Sequence, residues 1–248
     1  RERDVGDEHP GKPAPTPLPS SIGTIVQGLL PMIATSELAA GGRFPHAKAQ
    51  IGAVITQALT NPYLGHLGIK LLETGYAPHK VLDEIVASDT HVEFRQLGVM
   101  DRFGRTAART GKNNLDVAEH IAESNLIALG NRVKAGVVGA IAEGFRAASD
   151  EDLEERLMRA LEAGRDAGGQ MGVGQHISVL KVFDRDDLAR VDLRVDWHRV
   201  DAIAKLRSHL NRYIPLIPYY AERPLNPTVG YREWLEARGV DHDEWLRR

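Results

Sequence analysis

The stretch Ile51–Gly75, IGAVITQALTNPYLGHLGIKLLETG, predicts a buried strand followed directly by a helix. Its first part, within the segment Ala49–Ala58, is a nearly continuous apolar run with β-branched residues, which is the pattern of a strand covered on both faces. Asn61 and Pro62 then supply an N-cap and a first helical residue, and leucines follow at helical spacing up to Gly75. The segment therefore predicts a doubly covered strand next to an amphipathic helix.

Further strands and helices are predicted on both sides of this stretch, and they occur in groups. Strand patterns pair as Thr24–Gln27 with Met32–Thr35, Glu93–Met100 with Arg105–Thr110, and His176–Asp184 with Arg190–Trp197. Helix patterns begin at Pro78, cover Val133–Ala147, follow a capping signal at Ser149-x-x-Asp152, and cover His198–Tyr213. The segment Ser36–Gln50 is predicted to be loop-rich. This grouping predicts an α+β architecture, in which helical layers lie outside antiparallel sheets.

Composition excludes several classes of function. The 248 residues carry 31 basic and 34 acidic side chains, a net charge of −3, with no basic stripe to neutralise nucleic-acid phosphates. The chain has no cysteine and hence no disulfide, thiolate nucleophile or cysteine zinc site, which suits a cytoplasmic protein. The most apolar stretch, Ile22–Thr35, is too short and too interrupted to span a bilayer. We therefore expect a cytoplasmic protein that binds neither nucleic acid nor membrane.

Prolines are concentrated near the two ends of the chain. Of the 13 prolines, five lie between Pro10 and Pro19, four lie between Pro215 and Pro227, and none lies from His79 to Ile214. A polar, proline-rich segment cannot bury enough apolar surface to offset its ordering entropy. An aromatic, proline-rich tail has apolar contacts to offer, so we expect a homodimer. The predicted organisation is an N-terminal arm over residues 1–21, a domain over residues 22–213 and a tail with short helices over residues 214–248.

A charged strand face is one candidate for a polar site. In Val191–His198, VDLRVDWH, alternation places Asp192, Arg194 and Asp196 on one face and apolar side chains on the other. Such charges either form a solvated ladder at the rim of a sheet or are paired inside a covered sheet, where their pKa values are perturbed. Both interpretations are open at this point.

The glycine-rich loop Gly164–Gln175 follows a predicted helix and precedes a predicted strand. A nucleotide fingerprint has the opposite order, and the loop lacks the third glycine of GxGxxG. The loop is therefore either a helix C-cap with a turn, or a set of backbone N–H groups that approach an anion or a carbonyl. The ten histidines are scattered singly without metal-ligand spacing, so we predict no metal site and no other cofactor.

Four motifs, in this order, resemble a known family. They are the stretch Ile51–Gly75, then RQLGVMDRFGRTAARTG at Arg95–Gly111, LMRALEAGRDAGGQ at Leu157–Gln170 and VDLRVDWH at Val191–His198. The series is similar to that of the Ntn-hydrolase-like proteins catalogued as family 1028 of domains of unknown function, over about Thr24 to Asn211. The resemblance implies an Ntn-hydrolase-like four-layer αββα sandwich of two antiparallel sheets.

The resemblance also implies an activity. Ntn hydrolases use a Thr, Ser or Cys at the start of the mature chain, whose own α-amino group is the base that helps open an amide bond. Members of this family usually begin with Thr-Phe-Ser-Ile-Val, and Gly23–Val26 matches the last part of that segment, which places Ile22 at the nucleophile's position. A nucleophilic hydroxyl is therefore expected from Ser21 or Thr24 once processing exposes it.

Polar residues at the family's motif positions are the candidates for substrate binding. The residues proposed to bind substrate are Gln57, Arg95, Thr110, Gln175, Asp192, Arg194 and Asp196; Thr56, Gln96 and Asn131 match as well, without an assigned role. In the glycine loop the family has Gly-Gly-Asp and then Gln-Ser, where this chain has Gly168-Gly169-Gln170 and Gln175-His176. We expect an amidohydrolase acting on a small amide or peptide-like compound. The alternative is a non-catalytic small-molecule-binding or assembly protein on the same fold.

Overall fold

Ten strands form two antiparallel sheets in the part of the chain that the computed structural model describes, which is residues 21–26, 30–35, 38, 42–172 and 174–247. Residues 1–20 of the predicted arm lie outside it. The strands are β1 (Ser21–Val26), β2 (Leu30–Thr35), β3 (Pro45–Lys48), β4 (Gly52–Ala58), β5 (Arg95–Asp101), β6 (Thr106–Thr110), β7 (Ala118–Glu123), β8 (Leu126–Asn131), β9 (Ile177–Val182) and β10 (Val191–Val195). One sheet has the order β10-β9-β2-β1-β8-β7, and the other has the order β3-β4-β5-β6.

Two helices, α1 (Pro62–Glu73) and α2 (Pro78–Ser88), cover the outer face of the four-stranded sheet. Because successive residues of a strand point to opposite faces, alternate apolar residues of β4 and β5 face these helices. The shared core consists of Val54, Leu97 and Val99 from the sheet with Leu64, Leu72, Val81 and Ile85 from the helices.

Three helices, α3 (Val137–Ala147), α4 (Leu153–Asp166) and α5 (Ala202–Tyr213), cover the outer face of the six-stranded sheet. This is the larger core, and each of the three helices contributes an apolar stripe to it. Its members include Leu126, Ala128, Leu180 and Val182 from the strands with Val138, Ile141, Leu157, Leu161 and Leu206 from the helices.

The inner faces of the two sheets pack against each other. Ile127 and Leu129 of β8, which alternate with the helix-facing residues of that strand, contact Ile55 and Met100 of the four-stranded sheet. The order of layers is therefore helices, sheet, sheet, helices. The predicted α+β architecture, with helical layers outside antiparallel sheets, is confirmed.

The N-termini of α1 and α4 can be compared with the capping residues that the sequence predicts for them. At α1 the Asn61 side chain accepts a hydrogen bond from the Tyr63 N–H at 3.1 Å, and Pro62 is the first helical residue, as predicted. The signal at Ser149-x-x-Asp152 locates α4 but does not cap it. Asp152 occupies the N-cap position without a side-chain cap bond, and the Ser149 hydroxyl donates to Asp150 instead.

Three strands were not predicted from the sequence. Strand β3 lies in the segment predicted to be loop-rich, and it pairs only with β4. The hairpin of β7 and β8 received no strand prediction. Strand β7, AEHIAE, has little apolar alternation because it is the exposed edge of its sheet, and Asn125 turns the hairpin with a φ of 67°. Pairing with a neighbouring strand, rather than local pattern, determines β3 and β7, whereas β8 is a fully buried run with a local strand signal that was overlooked.

The C-terminal segment folds into α6 (Ile217–Glu222), α7 (Tyr231–Glu236) and α8 (His242–Arg247). These helices enclose a small cluster of their own, which includes Leu216, Tyr219, Trp234 and Leu235. Trp245 Nε1 donates a hydrogen bond to Arg212 O at 2.9 Å, and Trp234 Nε1 donates to Pro215 O at 3.3 Å. Trp245 therefore ties this segment to the end of α5, and Trp234 ties α7 to the start of the segment. Across the described residues, every helix is too short or too polar to cross a membrane.

Two glycines of α3 give a matched test of helix packing. A Cβ at Gly144 would lie 2.7 Å from Ala163 Cβ of α4, whereas a Cβ at Gly139 would meet nothing within 4 Å. Gly144→Ala should therefore lower the free energy of unfolding by about 1–3 kcal/mol through overpacking. Gly139→Ala should raise it by about 0.5–1 kcal/mol through helix propensity. Urea unfolding of both variants checks this, and a destabilising Gly139→Ala would contradict the described packing of α3.

Candidate functional site

The start of β1 lies between the ends of two neighbouring strands. Ser21, the first residue of β1, pairs with Thr35 at the end of β2 and with Asn131 at the end of β8. Thr35 and Asn131 are both buried. The backbone of Ser21 is therefore flanked by buried polar residues on both sides.

The four-stranded sheet adds polar residues at the same end of the sandwich. Gln57 of β4 pairs with Gln96 of β5, and Gln96 pairs with Thr110 of β6. Gln57 Nε2 donates a hydrogen bond to Gln96 Oε1 at 2.7 Å, and Gln96 Nε2 donates to Thr110 Oγ1 at 3.0 Å. The structure thus brings the predicted site residues Gln57 and Thr110 together through Gln96.

Gln96 also joins the two sheets. Asn131 Nδ2, from the six-stranded sheet, donates to Gln96 Oε1 at 3.2 Å. Gln96 Nε2 lies 2.8 Å from Gly130 O and 2.9 Å from Glu119 O. Gln96 is fully buried, and a buried polar group without partners costs about 1–3 kcal/mol, so these contacts hold the sheets together at this end.

His120 of β7 extends these hydrogen bonds to the rim of the sheet. Its Nδ1 lies 2.9 Å from Thr110 Oγ1. Partial burial lowers the pKa of His120 below the ordinary histidine value, which favours the neutral ring. Gln57, Gln96, Thr110, His120 and Asn131 are called the amide cluster from here on. It offers hydrogen-bond donors and acceptors without an ionised carboxylate, lysine or arginine.

Arg95, a predicted site residue, has structural partners beside the amide cluster. Its Nε donates to Asp89 Oδ2 at 3.0 Å, and its guanidinium also donates to Leu59 O. Asp89 is nearly buried and accepts a further hydrogen bond from the His91 N–H. Arg95 therefore ties the start of β5 to the end of α2 and to the segment after β4.

The glycine loop lies against the end of β8. The Met171 N–H donates to Arg132 O at 2.8 Å. The interpretation as a helix C-cap with a turn is confirmed, because the Gly169 N–H donates to Gly164 O and Gly169 has a φ of 55°. The Gln175 side chain lies so close to Gly169 that a Cβ there would overlap it. Gln175 thus packs within the loop, outside the hydrogen bonds of the amide cluster.

The charged face of β10 is solvated. Asp192, Arg194 and Asp196 are exposed, because β10 is the edge strand of the six-stranded sheet. Their ion pairs are loosely spaced. Lys181 Nζ lies 3.4 Å from Asp192 Oδ2, and Arg194 Nη2 lies 3.4 Å from Asp196 Oδ1. Of the two interpretations, the ladder at a rim is therefore the correct one. The alternative of inward-paired, buried charges does not hold, since these three side chains are exposed at this edge.

The two candidate nucleophiles occupy different places in β1. Ser21 begins the strand beside Asn131, whereas Thr24 pairs with Met32 and Ala128. Ala128 belongs to the core beneath the outer helices, and three residues of strand separate the two positions by about 10 Å. Ser21 is thus the candidate whose backbone lies at the amide cluster.

Comparison with known proteins gives the family. The profile of the family of unknown function DUF1028 matches residues 31–206. The chain belongs to the DUF1028 family. The chain is similar to protein SPO2555 from Silicibacter pomeroyi, a DUF1028 protein of known crystal structure, with 29% sequence identity and a TM-score of 0.70. The likeness covers 79% of this chain and 89% of that one, and no curated protein matches this chain.

The resemblance to this family that the motifs indicated is thereby confirmed. Gln96 and Asn131 were matched to family positions without an assigned role, and His120 was not among the predicted site residues. The signal for Gln96 is an amide in the strand RQLGVMD, whose other residues are almost all buried. A polar side chain in such a strand needs a buried partner, and Gln57 at the matching place of β4 supplies it.

A recess of about 480 Å³ beside β3, α1 and β9 is separate from the amide cluster of this DUF1028 protein. Its lining includes His46, His66 and Lys181. Burial, together with the neighbouring His66 and Lys181, lowers the pKa of His46 to about 4. His46 also fills the space beside Gly65, where a Cβ would lie 1.9 Å from the ring. Within the described ranges, no three His, Asp or Glu side chains are arranged to hold a metal ion.

The lowered pKa of His46 gives a pH-dependent stability. Between its ordinary value of 6.5 and about 4, the unfolded chain binds a proton at this residue that the folded chain does not. The free energy of unfolding should therefore fall as the pH falls through this window, and His46→Gln should flatten that dependence. Urea midpoints of both proteins across the window provide the measurement. Identical pH profiles for the parent and His46→Gln would show that His46 titrates normally in the folded protein.

Arg95→Met tests the structural role assigned to this arginine. The variant leaves the buried Asp89 charge without its partner, so the free energy of unfolding should fall by about 3–5 kcal/mol. Asp89→Asn combined with Arg95→Met should recover part of that loss, because no buried charge then remains. Urea unfolding is the measurement. A change in Arg95→Met within about 0.5 kcal/mol, as for an ordinary surface residue, would refute this assignment.

Proposed function

We propose that this protein is an amide hydrolase of the N-terminal-nucleophile type, in which cleavage of the peptide bond between residues 20 and 21 makes Ser21 the first residue. The observation that carries the proposal is the register of β1, which sets Ser21 between Thr35 and Asn131 at the amide cluster. A serine at the start of a strand, with a free α-amino group and buried amide donors nearby, has the parts that this chemistry needs.

The proposed reaction uses the two groups of one residue. The α-amine of Ser21 accepts the proton of its own hydroxyl as the oxygen attacks the carbonyl carbon of the substrate. An amide or backbone N–H at this end of the sandwich donates to the oxyanion, the C–N bond breaks, and the proton passes from the amine to the leaving nitrogen. Water then attacks the acyl ester with the same amine as base, which releases the acid and restores the serine hydroxyl.

The four-layer arrangement supports an Ntn-hydrolase-like fold for this chain, because its order of layers is the one that the family resemblance implies. The proposed substrate is a small amide or peptide-like compound. Gln57, Thr110 and Gln175 are proposed to contact it, since two of them belong to the amide cluster and the third lies in the loop beside β8. Arg95 and the ladder from Asp192 to Asp196 are better explained by ion pairing.

Acylation by a β-lactone tests the proposal. A chain that begins at Ser21 should gain the mass of one opened β-lactone, and peptide mapping should locate it on Ser21. Ser21→Ala should abolish the adduct. A panel of N-acyl p-nitroanilides then identifies the acyl group that is hydrolysed.

A one-residue extension provides the matched control. A chain with a single glycine before Ser21 keeps the hydroxyl but lacks the serine's free amine, so its acylation should fall by about 10²–10⁴-fold. Thr24→Val in the chain that begins at Ser21 should react like the parent. An adduct on Thr24, or equal rates with and without the extra glycine, would refute the proposal. Small amides that raise the melting temperature without any turnover would support the non-catalytic binding protein instead.

A further inference from the structure

We propose that two copies of this chain pair through the outer edge of β10, in the antiparallel register that sets Asp192 of one copy opposite Arg194 of the other. β10 is an edge strand of the six-stranded sheet, and among the described residues only β9 pairs with it. An edge strand presents backbone N–H and C=O groups that can pair with a further strand. β10 lies three strands from β1 in the sheet, so this contact does not depend on the chemistry proposed for Ser21.

The charges of β10 complement a second copy of the same strand. When two identical strands pair antiparallel about a two-fold axis, the axis passes between the two copies of one residue, and the residues before and after it face each other. An axis at Leu193 sets Asp192 opposite Arg194 twice. An axis at Asp192 or at Arg194 would instead set that charged residue against itself. Opposite charges across two strands are favourable and like charges are unfavourable, so the axis at Leu193 is preferred over these neighbours.

The length of β10 selects the same axis. Axes at Val191 and Val195 also give opposite charges, but each would leave most of β10 without a strand residue opposite it. The axis at Leu193 pairs Val191 with Val195 and leaves no residue of the strand unmatched. It is therefore the two-fold register that combines full pairing of the strand with complementary charges.

Asp192 and Arg194 are placed for contacts across the strand edge. Both side chains are exposed, and each has a partner in its own chain at 3.4 Å, Lys181 beside Asp192 and Asp196 beside Arg194. Lys181 belongs to β9, on the inner side of Asp192. In the paired form Asp192 therefore lies between Lys181 of its own chain and Arg194 of the second copy. The carboxylate keeps its original ion pair and gains another.

Two exposed apolar side chains lie just beyond the ends of β10. Leu188 is 84% exposed before the strand, and Trp197 is 58% exposed after it. The Trp197 ring lies against the His176 ring, with 4.7 Å between the ring centroids. Because an antiparallel partner runs in the opposite direction, the axis at Leu193 brings Leu188 of one copy to the Trp197 end of the other. Tryptophan is enriched in protein interfaces, and this contact gives both exposed side chains an apolar neighbour.

The other edge of the six-stranded sheet is protected against such pairing. β7 carries Glu119 and Glu123, which an axis at Ile121 would set against each other. Strand β6 of the other sheet also reaches this edge, because Thr106 Oγ1 donates a hydrogen bond to Glu123 O at 3.1 Å. Charged side chains and a covering neighbour are common ways to block an edge strand. β10 has charges of alternating sign instead, which suit a second copy of the strand.

The aromatic tail, from which the homodimer was expected, uses much of its apolar surface within its own chain. Tyr219, Trp234 and Leu235 are buried in the cluster of the C-terminal segment. Trp245 donates its indole N–H to Arg212 O. β10 is therefore a better surface for the dimer than the tail.

Two charge reversals on β10 test the pairing in the full chain. Asp192→Arg sets arginine against arginine and Arg194→Asp sets aspartate against aspartate, so each variant alone should dimerise about tenfold more weakly than the parent, or weaker still. An equimolar mixture of the two variants sets opposite charges together at both contacts and should form the heterodimer. Native mass spectrometry with one variant labelled with nitrogen-15 separates the heterodimer from the two homodimers. Asp83→Arg, the same change at an exposed residue of α2, should dimerise like the parent.

A single cysteine tests the register independently. The chain has no cysteine, so Leu193→Cys supplies the only thiol. The axis at Leu193 sets this residue opposite its own copy, with about 4.5–5.5 Å between the Cα atoms, a distance that a disulfide can span. Oxidised Leu193→Cys should therefore form a covalent dimer. Asp196→Cys is the control and should stay monomeric, because the same axis separates its two copies by about 20 Å along the strands.

Several results would overturn the pairing through β10. One is a parent chain that sediments as a monomer at high micromolar concentration. Others are charge reversals that leave the dimer intact, or a mixture of the two variants that contains no heterodimer. Where circular dichroism shows that the charge variants do not fold, the cysteine variants decide. A Leu193→Cys chain that forms no disulfide, or an Asp196→Cys chain that forms one as readily, then overturns the register.

Discussion

The side-chain amide of Gln96 is the contact on which the polar end of the sandwich depends. An amide buried between two sheets must find partners on both, and Gln96 does so through Gln57 and Thr110 on its own sheet and through Asn131 and Gly130 across the interface. These bonds set how one sheet lies over the other at this end. The site is therefore a consequence of sheet packing.

The apolar part of the same interface explains why the sheets can approach so closely. Gly98 of β5 faces Ile127 and Leu129, and a Cβ there would lie 3.2 Å from Ile127 Cγ2. Small residues such as Ala53 complete this part of the core. Because close packing at the apolar end and hydrogen bonds at the polar end join the same two strands, the position of β8 over β5 is doubly constrained.

Sequence alone predicts the elements whose signals are local. The Asn61-Pro62 start of α1, the covered strand before it and the closing hairpin all carry their own pattern of apolar residues. Strands β3 and β7 do not, because neighbouring strands determine them, whereas the buried apolar run of β8 carries the signal and was missed. The amide cluster likewise depends partly on local signals and partly on strand pairing. Gln57 and Thr110 were predicted from family motifs, but only the register across β4, β5 and β6 brings them to Gln96.

The contrast between β10 and the amide cluster indicates what chemistry the fold can carry. The charged side chains that stood out in the sequence remain at the rim, where water screens them, and the buried end of the sandwich is built from neutral amides. Chemistry at this end therefore relies on hydrogen-bond donors and acceptors that sheet packing holds in place, rather than on the charge of an ionised side chain.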